Sequence, residues 1–202
     1  MILALESAIA GGSLSIIENG RILAGWNGSS DVSRAEDLLP AIESVIINTG
    51  IERKDLSMIA VSGGPGSFTG IRIGMSTALG LAAGLKIPIT CVSLLRAMAA
   101  SANEGPVLAA VPMGRASICI QTFLKDSDAI CDEGVPITLT EPDFAERVEH
   151  WKGSVATHHS LASLCHNVDI IDLGLDLASV VGKYCEQHPN ESERPLFISK
   201  SF

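Results

Sequence analysis

Aromatic side chains are scarce in this chain of 202 residues, at 4% of the total against 47% hydrophobic. The core must therefore be built from Ala, Val, Ile and Leu, and an apolar content that high excludes a disordered chain. Basic residues are also short, with 14 Lys and Arg against 23 Asp and Glu and a formal charge of −9. An acidic surface repels a phosphodiester backbone, which excludes tight nucleic-acid binding by the chain alone and leaves action on RNA to a more basic partner. No Cys-x-x-Cys pair occurs among Cys91, Cys119, Cys131, Cys165 and Cys185. An odd number at wide spacing is the pattern of unpaired thiols in a reducing compartment. Met1 to Glu6 contains no basic region before its first acid, unlike a secretion signal. The longest uncharged apolar stretch runs between Arg72 and Lys86, short of the roughly 20 residues of a membrane span. The expectation is a cytoplasmic protein with no membrane contact.

Histidine is absent before His150, and no His-x-x-x-His pair exists. Two imidazoles four residues apart share one face of a helix and can grip a metal together. His158 and His159 are adjacent and point apart, so no metal site is expected.

What is present reads as alternating strands and helices. Ile2–Leu5, Ser13–Ile17 and Ile22–Trp26 are short apolar runs. Asn19-Gly20 between the last two is a strong hairpin signal. Ser33 with Glu36 forms a capping box for a helix in which Leu38, Leu39, Ile42, Val45 and Ile46 share a face and which Gly50 ends. Pro40 inside it predicts a kink. Strands are expected at Met58–Gly63 and Ile87–Val92, with helices from about Thr69 to Leu85 and after Ser93. Asn103–Pro106 breaks the composition and suits a hinge. Beyond it, strands are expected at Val107–Val111 and Ala116–Phe123, and a polar, loop-rich span from Lys125 to Asp143. The strand Ser154–Thr157, a helix near His158–Cys165, the strand Val168–Ile171 and a helix Leu175–His188 close the chain. No repeat is legible in the sequence. The pattern predicts a mixed α/β sheet, repeated in a second lobe.

The stretch Val61–Leu85 carries the functional question. A P-loop lysine is missing, and Gly64, Gly66 and Gly70 complete no dinucleotide fingerprint. Backbone N–H groups near Gly64, Gly66, Ser67 and Thr69 could still hold an anion at the helix start, although the plainer reading makes Ser67 or Thr69 a cap. Ser67 lacks a nucleophile elbow and an activating base. Gly70, Gly74 and Ala78, with Gly80 and Gly84 on a neighbouring stripe, thin the helix for close approach of another backbone. Each such glycine costs about 1 kcal/mol relative to alanine. Periodicity leaves both candidates open, the chain's own sheet and a partner helix.

Gly63–Gly74, GGPGSFTGIRIG, resembles the signature of the TsaB (YeaZ) family, which takes part in threonylcarbamoyladenosine formation on bacterial tRNA. Glu6-Ser7 at the end of the first strand, Glu36–Ile42 and Ile87–Ala99 resemble the family in the same order. The chain departs from it at Glu6-Ser7-Ala8, at Arg34-Ala35, at Pro112–Arg115 and at Pro195–Ser199. The resemblance implies an actin-like ATPase (ASKHA, ribonuclease H-like) α/β fold of two lobes, 1–104 and 105–202, each a mixed sheet flanked by helices. It implies a non-catalytic subunit without a firm cofactor, with ATP or ADP only at a complex interface. The implied partners are a TsaD-like threonylcarbamoyltransferase, a TsaE-like ATPase or a second copy, with tRNA reached only through the complex. Docking is expected through Leu38, Leu39, Ile42, Ile46, Gly70, Gly74, Met75 and Ala78. The alternatives are an actin-like ATPase or metallopeptidase-like enzyme, and a homodimeric scaffold with another role.

Overall fold

The computed structural model describes residues 1–29, 34–114, 116–127 and 129–192, and the side chains of the first helix from residue 37 onward. The expected capping box of Ser33 and Glu36, the departures at Arg34-Ala35, Arg115 and the segment Pro195–Ser199 lie outside what is described.

Strands β1 (Ile2–Glu6), β2 (Ser13–Glu18) and β3 (Arg21–Asn27) form an antiparallel meander. Asn19 and Gly20 join β2 to β3 with φ of 51° and 74°, the positive pair that a two-residue hairpin turn of matching twist requires. Helix α1 (Arg34–Thr49) continues through Pro40 and stops at Gly50, whose φ is 68°. It lays Leu38, Ile42 and Val45 on Leu3, Leu14 and Ile16 of the sheet. Strand β4 (Met58–Ser62) pairs parallel with β1, helix α2 (Phe68–Leu85) follows, and β5 (Ile89–Val92) pairs parallel with β4. The first sheet thus runs β3-β2-β1-β4-β5, and α3 (Leu94–Ala100), capped by Ser93, leaves it.

The second half repeats the scheme. Strands β6 (Gly105–Pro112) and β7 (Ser117–Asp126) are antiparallel. β8 (Ala129–Asp132) and β9 (Ile137–Thr140) pair with successive parts of β7. Helix α4 (Glu141–Glu149), strand β10 (Ser154–Thr157), a 3-10 turn at His159–Leu164, strand β11 (Asp169–Asp172) and helix α5 (Leu177–Gln187) follow. The order β11-β10-β6-β7-β8, with β10 and β11 parallel to β6, repeats the order of the first sheet, and β9 is a sixth strand added beside β7.

Three expectations change. The span from Lys125 to Asp143 holds two edge strands and the start of α4. The helix was signalled by Thr140, which caps it by accepting the Asp143 N–H, and by Phe144 and Val148 one turn apart on its buried side. The helix near His158–Cys165 is a tight 3-10 turn. Lastly, the division at 104/105 separates the two sheets but not the helices: α3 covers the second sheet, and α5 returns to cover the first. Both helices lie between the sheets in one core, where Ile2, Ala4 and Ala60 meet Leu94, Met98, Val181, Val107 and Phe123.

Candidate functional site

The glycine-rich turn ends β4 and delivers α2. Four of its backbone N–H groups bond its own chain. Gly63 N–H donates to Val92 O at 2.8 Å, Gly64 N–H to Ser62 Oγ at 3.2 Å and Ser67 N–H to Ala8 O at 2.7 Å. Ser67 Oγ accepts the Gly70 N–H at 3.2 Å and caps the helix. A phosphate cradle needs such amides pointing outward. Of the four positions considered for an anion, Gly64 is buried, Gly66 (φ 156°) lies against the backbone of Ala8, Ser67 is the cap, and only Thr69 is exposed.

The same turn decides which way α2 faces. A Cβ on Gly70 would overlap Ser7 O, and one on Gly74 would overlap Ser7 Oγ. Ser7 Oγ in turn donates to Gly70 O at 2.8 Å. Ala78 and Ala82 continue this buried stripe along the first sheet. The close approach for which Gly70, Gly74 and Ala78 were thinned is therefore to the chain's own β1 and β4, which corrects their expected place at a partner surface. Leu38 is buried in the same core, and Ile42, also buried, reaches only the floor of the groove between α1 and α2. Of the eight docking residues expected, Leu39 is 57% exposed, and Ile46 and Met75 are half-buried at the edge of the core.

The exposed face of the helix pair adds residues outside that expected set. Ile47 is 67% exposed and Leu79 51%. Gly80 and Gly84 face outward, and a Cβ on either would meet nothing within 4 Å. Between α1 and α2 runs a groove lined by Leu39, Ile46, Leu56, Gly80, Gly84 and Leu85, with the Glu43–Arg53 pair at its rim, 3.6 Å apart and exposed. At the N-terminal end of α2, the Arg72 guanidinium lies over the Phe68 ring, 3.8 Å from its centre. The signal for this face was in the sequence as the second small-residue stripe, Gly80 and Gly84. Its assignment required knowing where the turn before α2 is anchored.

Other polar groups are committed inward. Glu6 is 1% exposed, and its Oε1 accepts the N–H groups of Ala8 at 2.5 Å and Ile9 at 3.0 Å. Its carboxylate is folded onto the backbone where β1 ends. His158 is buried at the end of β10, with Nδ1 facing Ser160 N at 3.2 Å and Ser160 Oγ at 2.8 Å. Burial, then the neighbouring His159, lowers the His158 pKa below 6.5 against the pull of Asp172. Burial alone would raise Asp172, but the Gly174 N–H and His159, at 2.6 Å, outweigh it and hold that carboxyl below the ordinary range. None of the five cysteines is in a disulfide. Burial pushes the Cys119 thiol up to about 12 and the Cys165 thiol up to about 11, so neither is a nucleophilic thiolate at neutral pH. Among the described residues, no group of three or more His, Cys, Asp or Glu is placed to hold a metal ion.

Two facing repeats of a β-β-β-α-β-α-β-α scheme define the actin-like ATPase class of folds, and this chain has that architecture, with the added strand β9 and a 3-10 turn in place of the second helix in its second half. YeaZ from Pseudomonas aeruginosa superposes with a TM-score of 0.69 at 20% identity, covering 98% of this chain and 99% of that one. A family model described as TsaD, tRNA N6-adenosine threonylcarbamoyltransferase, matches residues 31–135. The chain belongs to this family and groups with the TsaB (YeaZ) proteins. It is 28% identical over 161 residues to the tRNA threonylcarbamoyladenosine biosynthesis protein TsaB of Escherichia coli, covering 77% of this chain and 69% of the relative. With the Haemophilus influenzae protein of the same name it shares 33% over 103 residues, 51% of this chain and 43% of the relative.

Proposed function

We propose that this chain is a docking subunit in the biosynthesis of threonylcarbamoyladenosine on tRNA. It binds a TsaD-like threonylcarbamoyltransferase through the exposed face of α1 and α2, and the chemistry takes place in the partner. A TsaE-like ATPase joins the same assembly, tRNA is reached only through the complex, and ATP or ADP is bound only where the subunits meet. The names of the TsaB relatives and of the matching family support the pathway.

The observation that carries the docking role is α2 itself. It has 18 residues and is long and apolar enough to cross a membrane, yet only Gly70, Ile71, Gly74, Ala78 and Ala82 are buried. Those five, with the partly buried Ile73, Met75, Leu81 and Leu85, hold it against the first sheet, and the other side exposes Phe68, Leu79, Gly80, Ala83 and Gly84, an apolar patch of the kind that marks an interaction site. Its counterpart in the second repeat is the 3-10 turn His159–Leu164, so this helix is extended in one lobe only. The inward-turned amides around Gly64 and Ser67 and the folded-back Glu6 weigh against an independent ATPase or peptidase.

The test is co-expression with the cognate TsaD-like protein and size-exclusion chromatography. Leu79→Asp places a charge on exposed surface, so the variant should keep its fold and lose the complex, and it should fail to restore the modification in cells lacking their own TsaB-like subunit. An intact complex with Leu79→Asp would refute docking through α2. Tight Mg-ATP binding with turnover by the isolated chain would favour the enzyme reading.

A further inference from the structure

The second sheet ends in a border that no described strand covers. β8 and β9 pair only with β7, on the side away from β6. Between them, Glu133 donates its N–H to Thr122 O at 3.0 Å and Gln121 Nε2 donates to Gly134 O at 2.9 Å, so residues 129–140 follow β7 along its length. The Glu133 bond also fixes the phase of the ladder. Even-numbered residues of β7 turn their polar backbone toward β8 and β9, while Ser117 O accepts the Met113 N–H on the other side. Ile137 stands opposite Ile120 and Leu139 opposite Ile118. Opposed residues of an antiparallel pair alternate between bonded and non-bonded. Ile137 and Leu139 therefore bond β7, and Thr138 between them sets its N–H and C=O outward, a template for an added strand.

The side chains along this border decide what it can take. Ile137 and Leu139 floor a groove whose wall is one side of α4, formed by Asp143, Glu146, Arg147 and His150. Ile137 is 45% exposed, and Leu124 and Val135 extend the apolar surface at 41% and 78%. The surrounding charge has one sign. Residues 126–150 hold eight acids against Arg147 alone, −7 of the chain's −9. Arg147 leans toward the Trp151 ring, 6.0 Å from its centre, Arg96 engages Asp132 at 2.9 Å, and Asp143 accepts the Thr140 hydroxyl at 2.6 Å. A second copy laid edge to edge would bring these acids against its own, and nucleic acid is repelled for the same reason. A basic polypeptide is attracted. Lysine and arginine suit the groove in both their parts, because the apolar stem can cover Ile137 and Leu139 while the charged head reaches Asp143 and Glu146.

We propose that the free edge of β9 takes an extended basic segment of a protein partner as an added strand. Every second residue of that segment is lysine or arginine lying in the groove, and the residues between them bond Thr138 through their backbone. This interaction is separate from docking through α1 and α2, which belong to the other sheet.

Fluorescence anisotropy on the full chain tests it, with a labelled, end-blocked peptide of about ten residues alternating lysine and threonine as the probe. At low salt this peptide should bind and its glutamate–threonine counterpart should not. Asp143→Asn with Glu146→Gln should weaken binding about three- to tenfold, and less as salt shortens the screening length from about 10 Å to about 3 Å. Removing two acids elsewhere, Glu18→Gln with Asp169→Asn, should change it by less than about twofold. The same peptide N-methylated at each threonine keeps its charge but cannot donate to Thr138 O, and should bind about fivefold less tightly or worse. Thr138→Pro removes only an outward N–H and should have a like effect on the unmodified peptide. Circular dichroism checks the fold of each variant, and if the proline variant unfolds, the methylated peptide still reads strand addition on the wild type. An absence of binding at low salt would overturn the proposal. Equal losses from the two acid pairs would overturn it as well, since the attraction would then be to the acidic chain at large. Equal binding of the methylated peptide would rule out an added strand. A wild-type dimer that Thr138→Pro dissociates in sedimentation equilibrium would make the second copy the occupant instead.

Discussion

His158 shows how a single buried side chain gives this fold a pH dependence. Burial and His159 disfavour the charged form of its ring in the folded state, and its pKa lies below the ordinary 6.5. The unfolded chain therefore binds more protons as pH falls below 6.5, and stability must drop with pH in that window. Asp172 acts in the same sense at lower pH: its carboxyl is held below the ordinary value, so protonating it costs the folded state the bonds from Gly174 and His159. Urea midpoints between pH 7.5 and 5.0 should fall for the wild type. His158→Asn, whose side-chain oxygen can still accept the Ser160 N–H, should flatten the upper part of that slope. An unchanged slope in the variant would show that another group sets it. Adjacent histidines in the sequence pointed to none of this, because the separation of a buried imidazole from an exposed one is made by the turn after β10.

The element that decides function is α2, and its two small-residue stripes have opposite energetics. Gly74 has Ser7 Oγ where its Cβ would be, so Gly74→Ala overpacks a buried contact and should cost about 1–3 kcal/mol. Gly80 and Gly84 have open space in that direction. Alanine there should add up to about 1 kcal/mol of helix stability at each site, and the pair should raise the denaturation midpoint of the isolated chain. The same pair narrows the gap left for a neighbouring backbone, so the expected outcome is a more stable subunit that binds its partner less well. Denaturant titration and the chromatographic assay read the two effects separately. Much of this element was legible: the hairpin from Asn19-Gly20, the helix ends and the Ser67 cap all follow from local chemistry. Which stripe faces inward was not, since it is fixed by Ser67 N–H bonding Ala8 O and by Gly66 packing on Ala8, contacts nearly 60 residues apart in the chain. Helix α4 escaped notice because its apolar side is only two residues wide, Phe144 and Val148.

At the scale of the molecule, the duplication is a fact of topology that no sequence repeat announces: in one copy the second helix has 18 residues, and in the other it is a six-residue 3-10 turn. The exchange of final helices also has an energetic consequence. Helix α5 is tied to the first sheet by Ser15 Oγ donating to Asp176 at 2.8 Å and by Ala178 N–H donating to Ser13 Oγ at 2.9 Å. Glu186 accepts the Asn19 and Gly20 N–H groups at 2.7 and 2.6 Å. Without α5, the face of the first sheet that carries Ile2, Ala4 and Ile17 would be open to water, and without α3 the second sheet would lose Leu94 and Met98 from its inner face. Neither sheet has a core of its own on that side, so the lobes should unfold together despite the hinge-like composition at Asn103–Pro106. The chain's two tryptophans allow a direct check, because Trp26 lies in the first sheet and Trp151 beside the second. With Trp151→Phe, fluorescence reports the first lobe, and with Trp26→Phe it reports the second. The expected result is one denaturant midpoint by both reporters, equal to that from circular dichroism, as a single cooperative unit requires. Two separated transitions would mean that each sheet is stable without the other's helix, and that the core shared by α3 and α5 contributes little to holding the lobes as one.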